Sequence, residues 1–527
     1  MVQKFYSSKC AFETLEDIKD KQITVMGLGL NGGGEACVKF FLKHGAYVTV
    51  TDMKTEEQLE PTIKSISQCP YYDEKRLRYV LGKHDTADFE FADCVIKNPG
   101  VKYEGNKYLQ AAKAIETDIS IFLHFTKAPI IAVTGSKGKS STVSAIQYGL
   151  SAIGFKSFLG GNITVSPLTF LEETNENTPV VLELSSWQLS DLRGRKVLKP
   201  LISIITKIVP DHLNWYGEMD AYVEDKKLIY ADQTRDDFTI LDFDPDDYLM
   251  ETKTPVEGIS CWGDLFASET NGTVLRYSKN PMPENTFGAW LETDEDGNSK
   301  GYITLKGRCE KELIMKELKV PGEHMKTNVL NASLVLYLMG IEPEHIRNVM
   351  SSWNGIPHRL EPCHEWTSPA DNRKITFYND SCATVPEATA AASQSFKKRI
   401  VLICGGTDKG LGFEILADTL EGKNNAKYLP YKTFLLEGNG TEKLTKLLDE
   451  KNVKYEGPYE SLESLLNAVK DSLVSKDAAE IYGDSQNAGP LPVVFSPGAT
   501  SFGMFTNEFD RGNKFKALCQ RIFVIPN

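Results

Sequence analysis

Short apolar runs rich in valine and isoleucine recur along the chain, and most of them end in glycine or polar residues. Stretches with the spacing of amphipathic helices lie between them. Buried strands that alternate with helices are typical of α/β domains with parallel sheets, in which ligands bind at the carboxyl ends of the strands. The clearest strands are predicted at residues 23–26, 47–51, 92–98, 129–134, 201–206, 375–378, 400–404, 433–436 and 492–496.

The sequence also predicts a region of short strands and several helices. Residues 242–319 differ from the rest because polar turns interrupt short strands such as 301–305, and we interpret them as a small β elaboration on the second domain. A final helix is predicted to dock through an apolar face. Helices are predicted at residues 36–41, 108–115, 221–230 and 329–339, and the final helix carries Phe505, Phe509, Phe515, Leu518 and Cys519.

The length of the chain implies several domains. A chain of 527 residues is too long for one hydrophobic core, and the usual domain size predicts about three domains of ~150 residues. We place the first boundary near Thr117 and the second near Gly355. The predicted α/β domains are therefore residues 1–117, 118–355 and 356–527.

Composition narrows the class of protein. The net charge is −13, so the overall field repels nucleic acid and anionic membranes. Residues 1–8 contain no apolar signal segment, and no window approaches the ~20 apolar residues of a membrane span. The ten cysteines include no Cys-x-x-Cys pair, which favours reduced thiols and gives no support for a zinc site. These features predict a soluble cytoplasmic protein.

A glycine-rich loop after the apolar run 129–134 carries the strongest chemical signal. Gly135 and Gly138 allow the backbone to approach a polyphosphate, and the start of the following helix points N–H groups at the anion. Lys139 adds a positive charge, and Ser140 or Ser141 can ligate Mg²⁺. The common phosphate loop has its first glycine at the place of Val133, so this loop is shortened. A chance glycine-lysine-serine loop is the alternative.

A second nucleotide-type loop lies near the N-terminus. The strand at residues 23–26 runs into Gly27, Gly29 and Gly32, and Asp52 ends the next strand about 20 residues further on. This βαβ context favours a Rossmann-like domain, in which the loop recognises a diphosphate and the acid a hydroxyl or base edge. A glycine-rich turn that only packs a helix on a sheet is the structural alternative. A nicotinamide dehydrogenase would explain this loop but not Lys139 or the third domain.

Three further residues stand out around the central loop. Glu183 lies inside the apolar segment 180–189, where an unpaired carboxylate is costly to bury. A carboxylate on the strand beside a phosphate loop is a common Mg²⁺ ligand, and a salt bridge to a neighbouring helix is the alternative. Taken singly, His212 and Lys226 favour structural roles, as a loop histidine and a solvated helix residue.

Three motifs taken together resemble one enzyme family. They are the shortened loop at residues 135–141, Glu183 within Glu-Leu-Ser-Ser-Trp-Gln-Leu, and Arg511-Gly-Asn-Lys-Phe515. In this order they resemble the Mur ligases of peptidoglycan synthesis, over nearly the whole chain from Gly27 to Phe515. The segment Asn379-Asp-Ser-Cys-Ala-Thr384 is most similar to the branch of the family that adds D-glutamate to UDP-N-acetylmuramoyl-L-alanine.

The resemblance implies three domains and one reaction. The N-terminal Rossmann-like domain would bind the UDP-sugar, the central P-loop ATPase-type domain would bind ATP, and the C-terminal Rossmann-like domain would bind the amino acid. In that family ATP phosphorylates the carboxylate of UDP-N-acetylmuramoyl-L-alanine, and D-glutamate attacks the acyl phosphate through a tetrahedral intermediate. The implied cofactors are ATP, two Mg²⁺ ions and a carbamylated Lys226. A monomer without nucleic-acid or membrane partners is expected.

The resemblance also implies roles for individual residues, and it reverses the structural interpretation of His212 and Lys226. Lys139, Glu183, His212 and Lys226 match catalytic positions, and Ser140, Glu183, His212 and Lys226 match metal ligands. ATP contacts match Gly135, Ser136, Lys137, Gly138, Lys139, Ser140, Ser141, Asn328, Arg359 and Asp380. UDP-substrate contacts match Gly27, Gly29, Leu30, Asn31, Gly32, Asp52, Lys54, Asn98, Asn162 and His212, and D-glutamate contacts match Thr384, Lys409, Ser501 and Phe502.

The chain departs from the family pattern at several positions. Cys382 stands where a lysine is common, Met325 where an asparagine often follows the histidine, and Glu508 at an aromatic position. The extra segments at residues 424–432 and 477–490 match no part of the family pattern. A sister Mur ligase with another acceptor, a folate polyglutamate ligase and a non-catalytic nucleotide-binding relative therefore stay as alternatives.

Overall fold

The computed structural model describes residues 4–30, 32–163, 165–246, 258–295, 298–307, 310–408, 410–483 and 489–524. The chain forms two compact units. The first comprises Met1–Glu317 and Lys326–Ser351, and the second comprises Leu318–Met325 and Ser352–Asn527. Asn31 and Lys409, two residues predicted to bind substrates, lie outside the described residues. None of the helices in the described ranges is long and apolar enough to cross a membrane.

The first sheet of the first unit is entirely parallel. Its strands are β1 (Gln22–Met26), β2 (Tyr47–Asp52), β3 (Leu77–Leu81), β4 (Cys94–Lys97) and β5 (Ile115–Glu116). They lie in the order β3-β2-β1-β4-β5, so the chain reverses direction across the sheet at β1. The helices are α1 (Gly33–Lys43), α2 (Glu56–Ser67), α3 (Ala87–Glu90), α4 (Lys107–Ala111) and α5 (Asp118–Phe125), preceded by a 3₁₀ turn at Glu16–Ile18.

The second sheet of this unit has nine strands. They are β6 (Ile130–Thr134), β7 (Phe158–Gly161), β8 (Val180–Glu183), β9 (Ile202–Ile205), β10 (Phe238–Asp242), β11 (Thr273–Ser278), β12 (Gly288–Thr293), β13 (Ser299–Thr304) and β14 (Glu312–Met315). Their order is β14-β13-β12-β11-β10-β9-β6-β8-β7. The pairs β12–β13 and β13–β14 are antiparallel, and the other described pairs of this sheet are parallel.

The helices that accompany this sheet place the candidate site residues. Gly138 caps α6 and Ser185 caps α7 with its side chain. The described helices are α6 (Lys139–Ala152), α7 (Ser186–Ser190), α8 (Leu213–Tyr216), α9 (Met219–Lys227), α10 (Trp262–Glu269), α11 (Glu323–Leu338) and α12 (Pro343–Met350), with 3₁₀ turns at Pro167–Thr169 and Leu171–Glu173.

The second unit contains a six-stranded sheet. Its strands are β15 (Glu361–Thr367), β16 (Lys374–Asn379), β17 (Val401–Cys404), β18 (Lys432–Leu436), β19 (Glu456–Tyr459) and β20 (Leu491–Phe495). The order is β15-β16-β20-β17-β18-β19, with only β15 antiparallel. The helices are α13 (Pro386–Gln394), α14 (Glu414–Glu421), α15 (Asn439–Glu450), α16 (Leu462–Val474), α17 (Ala478–Tyr482) and α18 (Glu508–Ile522).

Each unit has its own apolar core. In the first, Phe41 and Phe122 pack in a continuous cluster that also contains Tyr222. In the second, Phe377, Phe495 and Phe515 are fully buried, and the rings of Phe495 and Phe515 stack at 4.7 Å. These cores bury the strands on both faces, which is why the strands read as continuous apolar runs.

The predicted α/β class and the main strands are confirmed. Three details differ from the sequence-based expectations. The helix predicted at residues 108–115 ends at Ala111, and Ile115 begins β5 instead. The β elaboration continues the central sheet as β11 to β14. The predicted apolar face of the last helix is confirmed at Phe515 and Cys519, which are buried, but Phe509 is exposed, and Phe505 packs against the core from just before α18.

Candidate active site

The central glycine loop joins β6 to α6 and requires glycine at two places. Gly135 has φ +142°, and a Cβ there would lie 1.9 Å from Thr206 Oγ1. Gly138 has φ +94° and caps α6, and its Cβ would lie 2.4 Å from Asn328 Oδ1. Both positions therefore exclude a side chain through backbone strain and through space. The loop packs against Asn328, one of the residues predicted to contact ATP.

Neighbouring residues fix the loop from behind. The carbonyl oxygen of Lys207 accepts hydrogen bonds from Ser136 N at 2.9 Å and Lys137 N at 3.2 Å. Ser136 Oγ donates to the carbonyl oxygen of Val209 at 3.0 Å, and Tyr222 OH donates to Ser136 Oγ at 3.0 Å. These contacts involve the loop groups that face the sheet. The N–H groups at the start of α6 can therefore bind an anionic ligand.

Lys139 folds over the same loop. Its Nζ donates to the carbonyl oxygens of Gly135 at 2.9 Å and Ser136 at 3.1 Å. The ammonium group is therefore held at the mouth of the loop, where it can move onto a phosphate that displaces these carbonyl contacts. Ser140 and Ser141 occupy the first turn of α6 and are partly buried.

Glu183 is a buried acid with one unsatisfied oxygen. The side chain ends β8 and is 2% exposed. Its Oε1 accepts a hydrogen bond from Asn162 Nδ2 at 2.9 Å, whereas Oε2 is buried without a hydrogen-bond partner. A buried unpaired carboxylate oxygen fits a cation such as Mg²⁺. In the described ranges no three His, Cys, Asp or Glu side chains form a metal site.

Lys226 is buried directly beside the loop. The side chain is 1% exposed, and Nζ donates to the Gly135 carbonyl oxygen at 2.8 Å. Burial lowers the pKa of Lys226 well below its ordinary value, and Lys139 lowers it further, while Asp211, Asp225 and Glu183 oppose them. These charges therefore form one electrostatic cluster. The neutral amine favoured by this environment is the form of lysine that reacts with electrophiles.

His212 lies at the edge of this cluster. It has φ +53° and precedes α8, a left-handed conformation uncommon for histidine. The ring packs 5.1 Å from that of Trp187, on α7 just after Glu183, and its Nε2 lies 3.9 Å from Asp211 Oδ1. The side chain is partly exposed and can reach a ligand in the open part of the site.

The N-terminal loop uses its acid differently. Asp52 Oδ2 accepts from Gly29 N at 3.1 Å, and Oδ1 accepts from Lys54 N at 2.9 Å. Asn98 follows β4, and its Cβ lies 3.0 Å from the place of a Cβ at Gly27. Leu30 is 55% exposed beside this loop. Gly27, Gly29, Gly32, Asp52, Lys54 and Asn98 thus gather at the carboxyl edge of the first sheet, as the sequence predicts for a ligand-binding loop.

The remaining predicted residues lie in the second unit. Asp380 Oδ2 accepts from Ser496 Oγ at 2.7 Å and Oδ1 accepts from Leu360 N at 3.1 Å, and burial raises the pKa of Asp380 to about 7. Arg359 is exposed. Ser501 is buried and the neighbouring Phe502 is 66% exposed. Thr384 follows Cys382 and is partly buried, and burial raises the pKa of the Cys382 thiol to about 11.

The structure gives Arg511 a task that sequence reasoning did not assign. The guanidinium is fully buried and donates to Ser381 Oγ at 3.0 Å, to Ser381 O at 2.8 Å and to Ala499 O at 3.0 Å. It therefore links the loop before Thr384 to the loop before Ser501. The Arg511-Gly-x-x-Phe motif marks this arginine in the sequence. The motif does not indicate that the side chain contacts Ser381 and Ala499.

These features define a class before they define a family. A glycine loop between a buried strand and a helix, with a lysine and a buried acid at its mouth, is the site of an ATP-dependent phosphoryl-transfer enzyme of the α/β class. The Mur ligase middle domain matches residues 133–336, and the Mur ligase MurD-like N-terminal domain matches residues 21–121. The chain belongs to the Mur ligase family, as its motifs predict.

Relatives match over nearly the whole chain. The UDP-N-acetylmuramoylalanine–D-glutamate ligase of Treponema pallidum is 37% identical over 96% of this chain and 98% of its own length. The ligase of the same name from Borreliella afzelii is 36% identical over 96% and 98%. The match thus extends through the third sheet, which the two family domains do not reach.

Solved structures support the fold. MurC from Thermotoga maritima is similar with a TM-score of 0.53 and 17% identity, covering 95% of this chain and 100% of its own. MurF from Thermotoga maritima, solved in complex with ADP, gives a TM-score of 0.51 at 14% identity, covering 97% and 98%. At this identity the likeness shows the shared three-sheet α/β fold alone.

Proposed function

We propose that this chain is an ATP-dependent ligase that joins the amine of D-glutamate to the carboxylate of UDP-N-acetylmuramoyl-L-alanine in peptidoglycan precursor synthesis. The relatives that match over 96% of the chain carry that activity in their names. The observation in the molecule that carries the proposal is the cluster at one glycine loop. Lys139 and Lys226 both donate to the carbonyl oxygen of Gly135, and Glu183 acts on Lys226 electrostatically.

The reaction has two chemical steps. The substrate carboxylate attacks the γ-phosphorus of ATP, and the bond to the β,γ-bridging oxygen breaks to release ADP. The amine of D-glutamate then attacks the acyl carbon, the tetrahedral intermediate loses inorganic phosphate, and the nitrogen loses a proton. Activation is needed because a carboxylate oxygen is a poor leaving group until it departs as phosphate.

The loop binds the phosphates in this proposal. The N–H groups at the start of α6 and the ammonium of Lys139 face the negative charge that moves with the phosphoryl group. Gly135 and Gly138 permit that approach because they carry no side chain, and the structure leaves no space for one at either position. Asn328 lies against the loop, where the proposal assigns it a contact to ATP.

Mg²⁺ would be held by Glu183 together with Ser140, His212 and a carbamylated Lys226, and it would neutralise phosphate charge when bound. The buried free Oε2 of Glu183 supports this assignment. The lowered pKa of Lys226 supports carbamylation, in which the neutral amine adds to the carbon of CO₂ and loses a proton. The resulting anion would ligate a cation that an ammonium group would repel.

The carbamate has a direct test. In Lys226→Ala, activity should fall to background, and a short carboxylate such as acetate should restore part of it. Lys227→Ala, one residue along on the same helix and paired with Glu224 and Glu269, is the matched control and should stay active. Full activity of Lys226→Ala without acetate would remove the carbamate from the mechanism.

The other two sheets would hold most of the substrate contacts, and Asn162 would add one from the end of β7. We assign the uridine and diphosphate to Gly27, Gly29, Leu30, Gly32, Asp52, Lys54, Asn98 and Asn162, and D-glutamate to Thr384, Ser501 and Phe502, with Arg359 and Asp380 contacting ATP. Asn31 and Lys409 keep their predicted roles from the sequence. The three domains are assigned to residues 1–117, 118–355 and 356–527.

Substrate omission tests the function. Phosphate release should require ATP, Mg²⁺, UDP-N-acetylmuramoyl-L-alanine and D-glutamate together. An amino-acid panel tests the acceptor, because Cys382 replaces the lysine common in the family. Equal turnover with L-alanine or with meso-diaminopimelate in place of D-glutamate would identify a sister ligase.

We also propose that the enzyme acts as a cytoplasmic monomer without nucleic-acid or membrane partners. The net charge of −13 supports this because it opposes association with other polyanions. Light scattering coupled to gel filtration should give the mass of one chain, and a mass of two chains would contradict the monomer.

A further inference from the structure

The carboxyl edge of the first sheet presents four groups in a fixed order. Because the strands lie in the order β3-β2-β1-β4-β5, the groups at their carboxyl ends run from Asp52 at the end of β2, through the Gly27 loop after β1, to Asn98 after β4. Asp118 comes next, just past β5 at the start of α5. Neighbouring strands are about 4.8 Å apart, so Asp52 and Asp118 mark the two ends of an edge about 14 Å long.

Asp118 lines the same cavity as the glycine loop. That cavity is bordered by Gly27, Gly33 and Gly34, by Asn98 and Pro99, and by Asp118. Asp118 Oδ1 accepts a hydrogen bond from Ile119 N at 2.9 Å, and burial raises the pKa of the carboxyl above its ordinary value. Ile119 N and the side chain of Ser166 use part of its hydrogen-bonding capacity. A carboxylate has further acceptor positions, which a ligand in this cavity can use.

The order along the edge assigns a part of the ligand to each strand. Under the proposed function, on which this inference rests, Asp52 receives the uridine and the Gly27 loop receives the diphosphate. The sugar must then extend towards β4 and β5. This side faces the central site, because Lys97 Nζ at the end of β4 lies 2.8 Å from Asp191 Oδ2, just after α7. The group that follows the diphosphate along this edge is the amido sugar.

We propose that Asp118 is a further substrate-binding residue, whose carboxylate accepts a hydrogen bond from a hydroxyl or the acetamido N–H of the UDP-linked sugar. Asp118 thereby distinguishes the complete UDP-sugar from UDP. The uridine and diphosphate contacts do not involve it.

Calorimetric titration with two ligands tests this assignment. Asp118→Asn keeps an oxygen that can accept from Ile119 N, so the start of α5 is preserved. Its affinity for UDP-N-acetylmuramoyl-L-alanine should fall about tenfold to a hundredfold, as expected for loss of a charged hydrogen bond. Its affinity for UDP should equal that of the unmodified protein.

Asp93→Asn is the matched control. Asp93 also accepts from a backbone N–H, that of Gln22 at 2.9 Å, but at the opposite, amino-terminal edge of the sheet. Both ligands should bind this variant normally. An equal loss of UDP affinity in Asp118→Asn would make Asp118 a support of the loop, and tighter binding of UDP would show that the carboxylate opposes the diphosphate. Either result, or unchanged binding of both ligands, overturns the inference.

The outcome separates the inference from the function. An unmodified protein that fails to bind UDP-N-acetylmuramoyl-L-alanine contradicts the proposed function itself. If the unmodified protein and Asp118→Asn bind UDP-N-acetylmuramoyl-L-alanine equally tightly, only the role of Asp118 is contradicted. Thermal unfolding of each variant, followed by circular dichroism, confirms that the compared proteins are folded.

Discussion

The first unit contains two loops of the same local design that lie in different electrostatic surroundings. Each follows a buried parallel strand and leads into a helix, and each helix is capped by a left-handed glycine, Gly32 for α1 and Gly138 for α6. The loop after β6 is surrounded by buried charges, with Lys226 and Glu183 almost completely buried. The loop after β1 is served by Asp52, which is paired with backbone N–H groups.

This difference in surroundings corresponds to the difference between binding a phosphate group and transferring one. Backbone N–H groups of a glycine loop are sufficient to hold a diphosphate that does not react. A loop that transfers a phosphoryl group must also stabilise charge that moves, and buried groups of both signs do this more strongly than exposed ones. Under the proposed function, the same strand–loop–helix unit therefore serves as a binding site at β1 and as a reaction site at β6.

After Lys226→Ala, the largest effect is expected at Lys139. Lys139→Ala removes the cation that the proposed function places at the transferred phosphoryl group, so kcat for phosphate release should fall by about 10²–10³-fold. Lys156→Ala, whose exposed side chain lies beyond α6 and pairs with Glu173, is the control and should retain activity. If the only change is a higher KM for the UDP-sugar, Lys139 serves substrate binding and not phosphoryl transfer.

The next effect concerns the ion pair that joins the two regions. Lys97 Nζ, at the end of β4, lies 2.8 Å from Asp191 Oδ2, just after α7. Burial raises the pKa of Asp191 to about 6, although Lys97 and Arg195 oppose the shift. Because the unfolded chain releases this proton near pH 4, the free energy of unfolding should fall by up to about 1.4 kcal/mol per unit as pH rises from 4 to 6.

Asp191→Asn isolates this dependence. The stability difference between the unmodified protein and Asp191→Asn, measured by urea unfolding, should favour the unmodified protein more at pH 4.5 than at pH 7. It should be constant above pH 7, where both states are ionised. A difference that does not change between pH 4.5 and pH 7 would show that Asp191 is charged throughout.

A smaller effect tests the packing of the N-terminal loop. A Cβ at Gly34 would lie 2.3 Å from the Leu28 carbonyl oxygen, whereas a Cβ at Gly33 would meet nothing within 4 Å. Gly34→Ala should therefore lower the free energy of unfolding by about 1–3 kcal/mol. Gly33→Ala, one residue earlier, should cost almost nothing. Equal thermal midpoints for the two variants would mean that the Leu28 carbonyl group can move away from α1 without loss of stability.

The smallest effect is expected at Asp52. Asp52→Asn keeps one acceptor oxygen for the loop but removes the charge, so KM for the UDP-sugar should rise about tenfold. KM for ATP should not change, because ATP is assigned to the other loop. Asp73→Asn is the control, since Asp73 also accepts from a backbone N–H, that of Lys75, on an exposed turn. A matching rise in KM for ATP would break the proposed division between the two loops.

Much of the fold was predictable because the periodic signals are local. Apolar runs placed the strands that end at Thr134, Glu183 and Asp52, and glycines marked the loops that follow them. The helix expected at residues 108–115 was wrong because pairing with β4 makes Ile115 part of β5. Strand pairing depends on residues far away in sequence, and local spacing does not report it.

The site was predictable in part. Motifs selected Lys139 and Glu183 directly, and the family resemblance was needed for His212 and Lys226. Neither source indicated that Lys207 O and Tyr222 OH hold the loop, or that Arg511 joins two distant turns. Those contacts involve a backbone carbonyl oxygen or a common side chain, and they leave no spacing pattern in the chain.

The sequence by itself determined the class of each domain, the two glycine loops, the motifs of the ligase family and the residue types available for the chemistry. The tertiary structure decided which of those residues share an environment. Lys226 differs from the neighbouring Lys227 first through burial, which removes water from one amine and leaves the other partly solvated, and then through its partners, since Lys227 pairs with Glu224 and Glu269. Burial depends on the packing of α9 against α7 and on the approach of Lys226 to the loop after β6, so the lowered pKa of Lys226 arises only in the folded chain.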